Sequence, residues 1–226
     1  KAYVTDDTYV WTLQNGIGNV DILQRHFADR QIVKGLTSAT GIIEGPGVVS
    51  TNFKGETETY LWPIDDGKHP RLDEAARILT EAGLPTRRAP DMDYRIWRKL
   101  VINVTLTVLA GIMNTRIGAV YEVEPGRTLC EEIVRETVAV AQAAGVPLEV
   151  EDALGYLDAL SKAAVNHIGS ATISLQKKER TEIDTMNGAV VREGERLGVD
   201  TPVNRTITRI VKLVEETAVE RLSPSI

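Results

Sequence analysis

The chain has 226 residues, 42% hydrophobic and 26% charged, the proportions of an ordinary globular protein with room for one large domain or two small ones. A formal net charge of −6 excludes a broadly basic nucleic-acid surface, though not a local basic pocket for an anion. Cys130 is the only cysteine, so an intrachain disulfide and a thiolate metal cluster are excluded. His26, His69 and His167 are too scattered to suggest zinc.

The first residue is Lys1, not Met, and a strand follows almost at once; the chain reads as the remainder of a longer polypeptide. Val10 to Leu13 (VWTL) is a short apolar strand. It ends at Gln14-Asn15-Gly16-Ile17-Gly18-Asn19, and Val20 to Phe27 reads as a helix. Strand, glycine turn, helix is the α/β unit, and ligands sit at such strand ends. Gly16-x-Gly18 alone is weak, because Asn-Gly is also a common tight turn. Ile32 to Ile43 reads as a second strand with a glycine interruption. Val48 to Asn52 and Glu58 to Trp62 alternate with strand period, split by the turn-like Lys54-Gly55. Arg71 to Ala82 is an amphipathic helix stopped by Gly83 and Pro85, and Thr86 to Ala89 is a last short strand.

Pro90 breaks the chain and sets the domain boundary near residues 90–92. The stretch Tyr94 to Asn114 (YRIWRKLVINVTLTVLAGIMN) then reads as a buried helix. Asn103, Thr105, Thr107 and Asn114 break its apolar run, leaving it too short for a membrane span of about 20 apolar residues. Lys99 and Asn103 lie four apart on one helical face and could meet a polar ligand. The plainer alternative is a snorkelling lysine beside a solvated asparagine. Beyond Asn114 the pattern is helical throughout. Thr128 to Ala144 opens with a Thr128-x-x-Glu131 capping box, and Asp152 to Val165 is a weaker helix. Thr181 to Leu197 closes at Gly198. The last helix starts at Thr201-Pro202 and runs to about Leu222. The fold class is therefore α/β: a sheet domain over residues 1–91, then an all-helical domain over 92–226.

The passage His167 to Asn204 carries a resemblance. Ser170, Arg180-Thr181-Glu182-Ile183-Asp184, Met186-Asn187-Gly188-Ala189-Val190-Val191 and Gly198-Val199-Asp200-Thr201-Pro202-Val203-Asn204 together resemble the ketopantoate reductase (2-dehydropantoate 2-reductase) family. Leu13 to Gly18 is similar to its strand-end asparagine motif, and Trp97 to Asn103 to its catalytic-lysine helix. Glu136 with Ala143-Ala144-Gly145-Val146 is similar to its next helix. The resemblance covers essentially the whole chain. It implies the rear part of a Rossmann-type NADP-binding domain followed by a helical substrate and dimerisation domain. The family's opening strand and GxGxxG phosphate turn are absent from this sequence. If Lys1 is the family's cofactor-proximal lysine, residues are also missing between Tyr3 and Thr8.

By this resemblance the chain reduces a 2-oxo acid with NADPH, first of all 2-dehydropantoate to pantoate in pantothenate and CoA biosynthesis. It works in the cytoplasm as a homodimer. Lys99 is the proton donor, and Glu182 contacts the hydroxyl or the cofactor. Asn103, Ser170 and Asn15 bind substrate. Lys1, Asn15, Ala39 and Glu182 bind cofactor. Reducing a 2-oxo acid needs hydride at the carbonyl carbon and a proton at its oxygen, and a lysine whose pKa burial lowers can supply the proton. These segments are remote in sequence and must converge on one cleft. The plainer alternatives are that Ser170 caps a helix, Glu182 opposes a helix dipole and Asn15-Gly16 only turns the chain. Thr107, Ile117 before Gly118, and Ile173-Ser174 replace polar residues of family members that handle ketopantoate. These departures favour a related, more apolar 2-oxo acid. The competing reading is a non-catalytic helical binding or dimerisation module.

Overall fold

The computed structural model describes residues 4–51 and 58–218, and the chain falls into two compact units. One comprises residues 1–14 with 18–96, the other residues 15–17 with 97–226.

The first unit holds strands β1 (Val10–Thr12), β2 (Ile32–Thr37), β3 (Gly41–Gly45), β4 (Val48–Thr51), β5 (Thr59–Pro63) and β6 (Thr86–Arg88). Its helices are α1 (Asn19–Gln24) and α2 (Pro70–Glu81). Four strands form one sheet in the order β1-β2-β5-β6. The pairs β1–β2 and β5–β6 are parallel, and β2–β5 is antiparallel. Parallel strands need a crossover, and α1 and α2 supply the two crossovers here. Val33, Leu61 and Leu72 are fully buried and packed by Tyr9, Trp11 and Leu13; each such side chain contributes roughly 1.5–3 kcal/mol of burial. The continuous strand expected over Ile32 to Ile43 is two strands in different sheets. The chain leaves β2 at Thr37, and β3 pairs with β4 in a separate hairpin whose Ile43, Val48 and Val49 are exposed. The expected Lys54-Gly55 turn and residue Asn52 lie outside the described residues.

Past β6 the chain enters α3 (Met92–Ile102), a π-helical turn (Asn103–Thr107) and α4 (Val108–Met113). The run from Met92 to Met113 is long and apolar enough to cross a membrane by length and composition, contrary to the expectation of too short a run. Yet 67% of its most apolar window is buried inside the protein. One of the polar interruptions has a partner one turn back. Thr105 Oγ1 donates to the Val101 carbonyl at 2.5 Å, the back-bonding that lets a buried threonine sit in a helix.

The rest of the second unit is α5 (Ile117–Glu122), α6 (Glu124–Ala143), α7 (Val150–Ala163), α8 (Ser170–Gln176), α9 (Asn187–Leu197) and α10 (Pro202–Glu216). α6 packs against α5, α7, α9 and α10, so it forms the spine of this bundle. Ile133, Val134, Val138, Leu106, Leu157 and Met186 are among its fully buried side chains. The expected Thr128 capping box is not there. α6 begins four residues earlier because Pro125 sits in its first turn, where a missing N–H costs nothing; Thr128 donates to Glu124 instead. α9 likewise begins at Asn187, not Thr181, because Met186 has φ −104° and ψ −111°, which no helix tolerates.

Candidate active site

Asn15 follows the sheet strand β1 after Leu13 and Gln14, yet Asn15, Gly16 and Ile17 belong to the helical unit. Two contacts explain this. The Ile17 N–H donates to the Thr185 carbonyl at 2.9 Å. Gly16 has φ +85°, and a β-carbon there would stand 1.9 Å from the same carbonyl oxygen. Only glycine permits that approach and that backbone angle together. Asn15-Gly16 is thus more than a turn: it lays the Asn15 side chain beside the 182–185 segment.

The Asn15 amide bridges two charged groups. Lys99 Nζ donates to Asn15 Oδ1 at 3.0 Å, and Asn15 Nδ2 donates to Glu182 Oε2 at 3.1 Å. The polarity of this chain follows from its ends, since an ammonium only donates and a carboxylate only accepts. Lys99 is half-buried on the last turns of α3. Burial pushes its pKa below the ordinary lysine value, and the nearby Glu182 carboxylate partly restores it. The group is therefore poised between a charge that burial disfavours and a counter-charge that retains it. Glu182 is exposed and precedes α9 by five residues, so it does not oppose that helix's dipole.

Three of the expected site residues, Asn15, Lys99 and Glu182, are thus joined by hydrogen bonds. Three others, Asn103, Ser170 and Ala39, are not joined to them in this way among the described residues. Asn103 opens the π-helical turn, half-buried, one turn past Lys99. Ser170 is exposed at the first position of α8; the cap is Gly169, so Ser170 is not a capping residue. Ala39 lies in the sheet unit just past β2, half-buried, and its N–H donates to Thr37 Oγ1 at 3.1 Å. Ala39 follows the carboxyl end of β2, a strand parallel to β1, and such strand ends are where α/β proteins bind ligands. Lys1 lies outside the described residues.

Two departures from the resembled family meet at one point. A β-carbon on Gly169 would stand 3.1 Å from Thr107 Cγ2 and 3.6 Å from Ile117 Cδ1. Methyl groups thus pack where the chain enters α8 at Ser170, and Thr107 and Ile117 are both buried. Among the described residues no group of three or more His, Cys, Asp or Glu side chains is placed to hold a metal ion. Cys130 is buried, and burial with the neighbouring Glu131 pushes its thiol up to about 12, which leaves it inert.

Sequence reasoning missed the π-helical turn, the direct Asn15–Glu182 link and the close approach of Gly16 to Thr185. The first had a signal, namely three polar residues at 103, 105 and 107 inside an apolar run. The other two join segments 167 residues and more apart and leave no local trace.

Comparison with known proteins gives a consistent result. The family model for the ketopantoate reductase PanE/ApbA C terminal matches residues 91–215, and that for ketopantoate reductase PanE/ApbA matches residues 1–63. The chain is 33% identical over 216 residues to a 2-dehydropantoate 2-reductase of Streptococcus pyogenes, covering 95% of this chain and 70% of the relative. The fold is similar to D-mandelate dehydrogenase in a ternary structure with NADH and anilino(oxo)acetate, with a TM-score of 0.89 and 29% identity over 96% of this chain and 71% of that one. It is also similar to a PanE/ApbA family ketopantoate reductase from Ralstonia eutropha, with a TM-score of 0.85 and 27% identity over 97% and 70% of the respective chains.

Proposed function

The chain belongs to the ketopantoate reductase (PanE/ApbA) family of oxidoreductases, and on that premise we propose that it reduces a 2-oxo acid to the 2-hydroxy acid with a reduced nicotinamide dinucleotide. The observation that carries the reading is the hydrogen-bonded chain Lys99–Asn15–Glu182 within the helical unit. The residues fit the nicotinamide end of such a cofactor. Asn15 offers a carboxamide at the strand end, and Gly18, at φ +87°, leaves open space where a side chain would stand. Asn15, Ala39 and Glu182 would hold it, and when bound it supplies the hydride.

The chain's own residues do the rest. Lys99 donates a proton to the carbonyl oxygen as negative charge develops there, and its positive charge stabilises that oxygen beforehand. A lysine is a poor acid at its ordinary pKa; burial lowers it towards the working range. Asn15 holds the ammonium in place and is itself oriented by Glu182. Asn103 and Ser170 contact the substrate, Ser170 on its carboxylate side.

In its finer form the reading is NADPH-dependent reduction of 2-dehydropantoate to pantoate in pantothenate and CoA biosynthesis, by a cytoplasmic homodimer whose helical unit supplies the substrate and dimer contacts. The identity to 2-dehydropantoate 2-reductases supports it. A second reading is favoured by one observation, the methyl packing of Thr107 and Ile117 about Gly169. It gives the enzyme a 2-oxo acid with a more apolar side chain. The likeness to D-mandelate dehydrogenase is in keeping with that.

The test is a panel of 2-oxo acids, 2-dehydropantoate together with branched aliphatic and aromatic ones, each followed with NADPH and with NADH by loss of absorbance. Light scattering on the same sample reads the assembly. Preference for 2-dehydropantoate with NADPH establishes the finer reading, and preference for an apolar acid the second. No turnover with any member of the panel overturns both.

A further inference from the structure

A second polar line runs through the helical unit. Glu136 on α6 accepts the N–H of Val203 at 2.8 Å and of Asn204 at 2.9 Å, so its carboxylate caps the first turn of α10. Glu136 Oε2 also accepts Asn204 Nδ2 at 2.8 Å. Asn204 Oδ1 accepts Asn187 Nδ2 at 3.0 Å, and Asn187 Nδ2 also donates to the Val104 carbonyl at 2.9 Å. Val104 is the second residue of the π-helical turn.

A carboxylate only accepts, and this fixes every amide in the line. Asn204 must turn its nitrogen to Glu136 and its oxygen to Asn187. Asn187 must then present its nitrogen both to Asn204 and to Val104. The consequence is an orphan: Asn187 and Asn204 are both 0% exposed, and Asn187 Oδ1 is buried with no hydrogen-bond partner among the described residues. An unsatisfied buried acceptor costs about 1–3 kcal/mol. An apolar side chain there would remove that orphan but create others at Asn204 Oδ1 and the Val104 carbonyl, so the polar line stands or falls as a whole and local energy alone does not account for the asparagine.

Its placement does. Asn187 follows Glu182 by five residues, and Val104 follows Lys99 by five. The Asn187–Val104 bond therefore ties the segment bearing the carboxylate to the helix bearing the lysine and Asn103. It is a second tie beside the Asn15 bridge, and a π-helical turn needs one. Such a turn is a poorly favoured form of helix that persists where tertiary contacts hold it, frequently at functional sites.

We propose that Asn187 is a positioning residue for the reduction, oriented by Glu136 through Asn204, which sets the register of Lys99 and Asn103 against Glu182 by holding the Val104 carbonyl. The proposal rests on the reading of Lys99 as proton donor. Asn187 touches neither substrate nor cofactor. A displacement of about 1 Å at the reacting groups is enough to cost on the order of 100-fold in rate.

The test compares the intact wild-type enzyme with Asn187→Leu, which keeps the branched shape and removes both donated bonds, and with Asn187→Ser, which keeps a smaller donor. Expected for Asn187→Leu is a fall in kcat of roughly 10- to 100-fold with the KM for the nicotinamide dinucleotide unchanged. The alkaline limb of the kcat profile should be displaced, because Lys99 then stands differently to Glu182. Asn187→Ser should fall between the two. If Asn187→Leu does not fold, Asn187→Ser is read by the same measures. Wild-type kcat and an unmoved alkaline limb, whatever the change in Tm, overturn the proposal and leave Asn187 a core residue. Lys99→Arg separates this failure from the other: an alkaline limb that persists in Lys99→Arg overturns the proton-donor reading itself.

Discussion

The Thr185 carbonyl oxygen lies 1.9 Å from the point where a β-carbon on Gly16 would stand, and it accepts the N–H of Ile17 at 2.9 Å. Backbone meets backbone there, so neither side can turn away as a flexible side chain would. Gly16→Ala should therefore break the seat of Asn15. With φ +85° added to the clash, a loss of about 1–3 kcal/mol is expected, together with a fall in kcat larger than that loss of stability explains. Thermal unfolding and steady-state kinetics on one sample check it. Unchanged kcat in a folded Gly16→Ala protein would detach Asn15 from the reaction.

Much of the fold was legible in the chain. β1, β4, β5, α2, β6 and the lysine helix all stand within a few residues of where period and punctuation put them. The misses arise where another residue, near or far, overrides the signal read. Thr128-x-x-Glu131 reads as a capping box, but Pro125 starts α6 sooner. Thr181 reads as the start of a helix, yet its N–H and Oγ1 both donate to Glu215 Oε1 of α10, 34 residues on, and the helix waits until Asn187. At the site, Lys99 and Asn103 showed themselves as two polar residues four apart on one face of that helix. That Asn15 would bridge Lys99 to Glu182 could be expected only through family resemblance, since no period or spacing links positions 15, 99 and 182.

Lys99→Ala should lower kcat by roughly 100- to 10,000-fold, the usual weight of a positioned general acid, while cofactor affinity holds. Fluorescence titration of the reduced nicotinamide dinucleotide alongside turnover separates the two effects. A variant with wild-type turnover would remove Lys99 from the chemistry. So would a loss confined to cofactor binding.

The pH profile gives an independent check. The active form of Lys99 is the protonated one, so the rate falls as pH rises through its pKa. Burial lowers that pKa, which places the alkaline limb below the ordinary 10.5. The Glu182 carboxylate acts the other way and raises it. Glu182→Gln removes that support, so Lys99 loses its proton more easily and the limb moves to lower pH. The amide can still accept from Asn15 Nδ2, and the fold should be little disturbed. A limb that stays fixed, or moves up, would show that Glu182 does not act on Lys99.

Asn15→Asp makes the opposite change at the same place. Lys99 Nζ now donates to a carboxylate at 3.0 Å where it had donated to an amide oxygen, and a new negative charge at that range favours the ammonium. The Lys99 pKa rises, and the alkaline limb moves to higher pH, against the direction of Glu182→Gln. The substitution also removes the amide N–H that Glu182 accepts at 3.1 Å and sets two carboxylates face to face. Repulsion between them should lower the Tm at neutral pH and relax in mild acid, where one of the pair takes up a proton. Asn15→Ala loses both bonds without adding charge and serves as the reference. Profiles recorded for all three variants decide whether Asn15 is the electrostatic link between Lys99 and Glu182. If Asn15→Asp and Glu182→Gln shift the limb the same way, the three residues do not act as one chain.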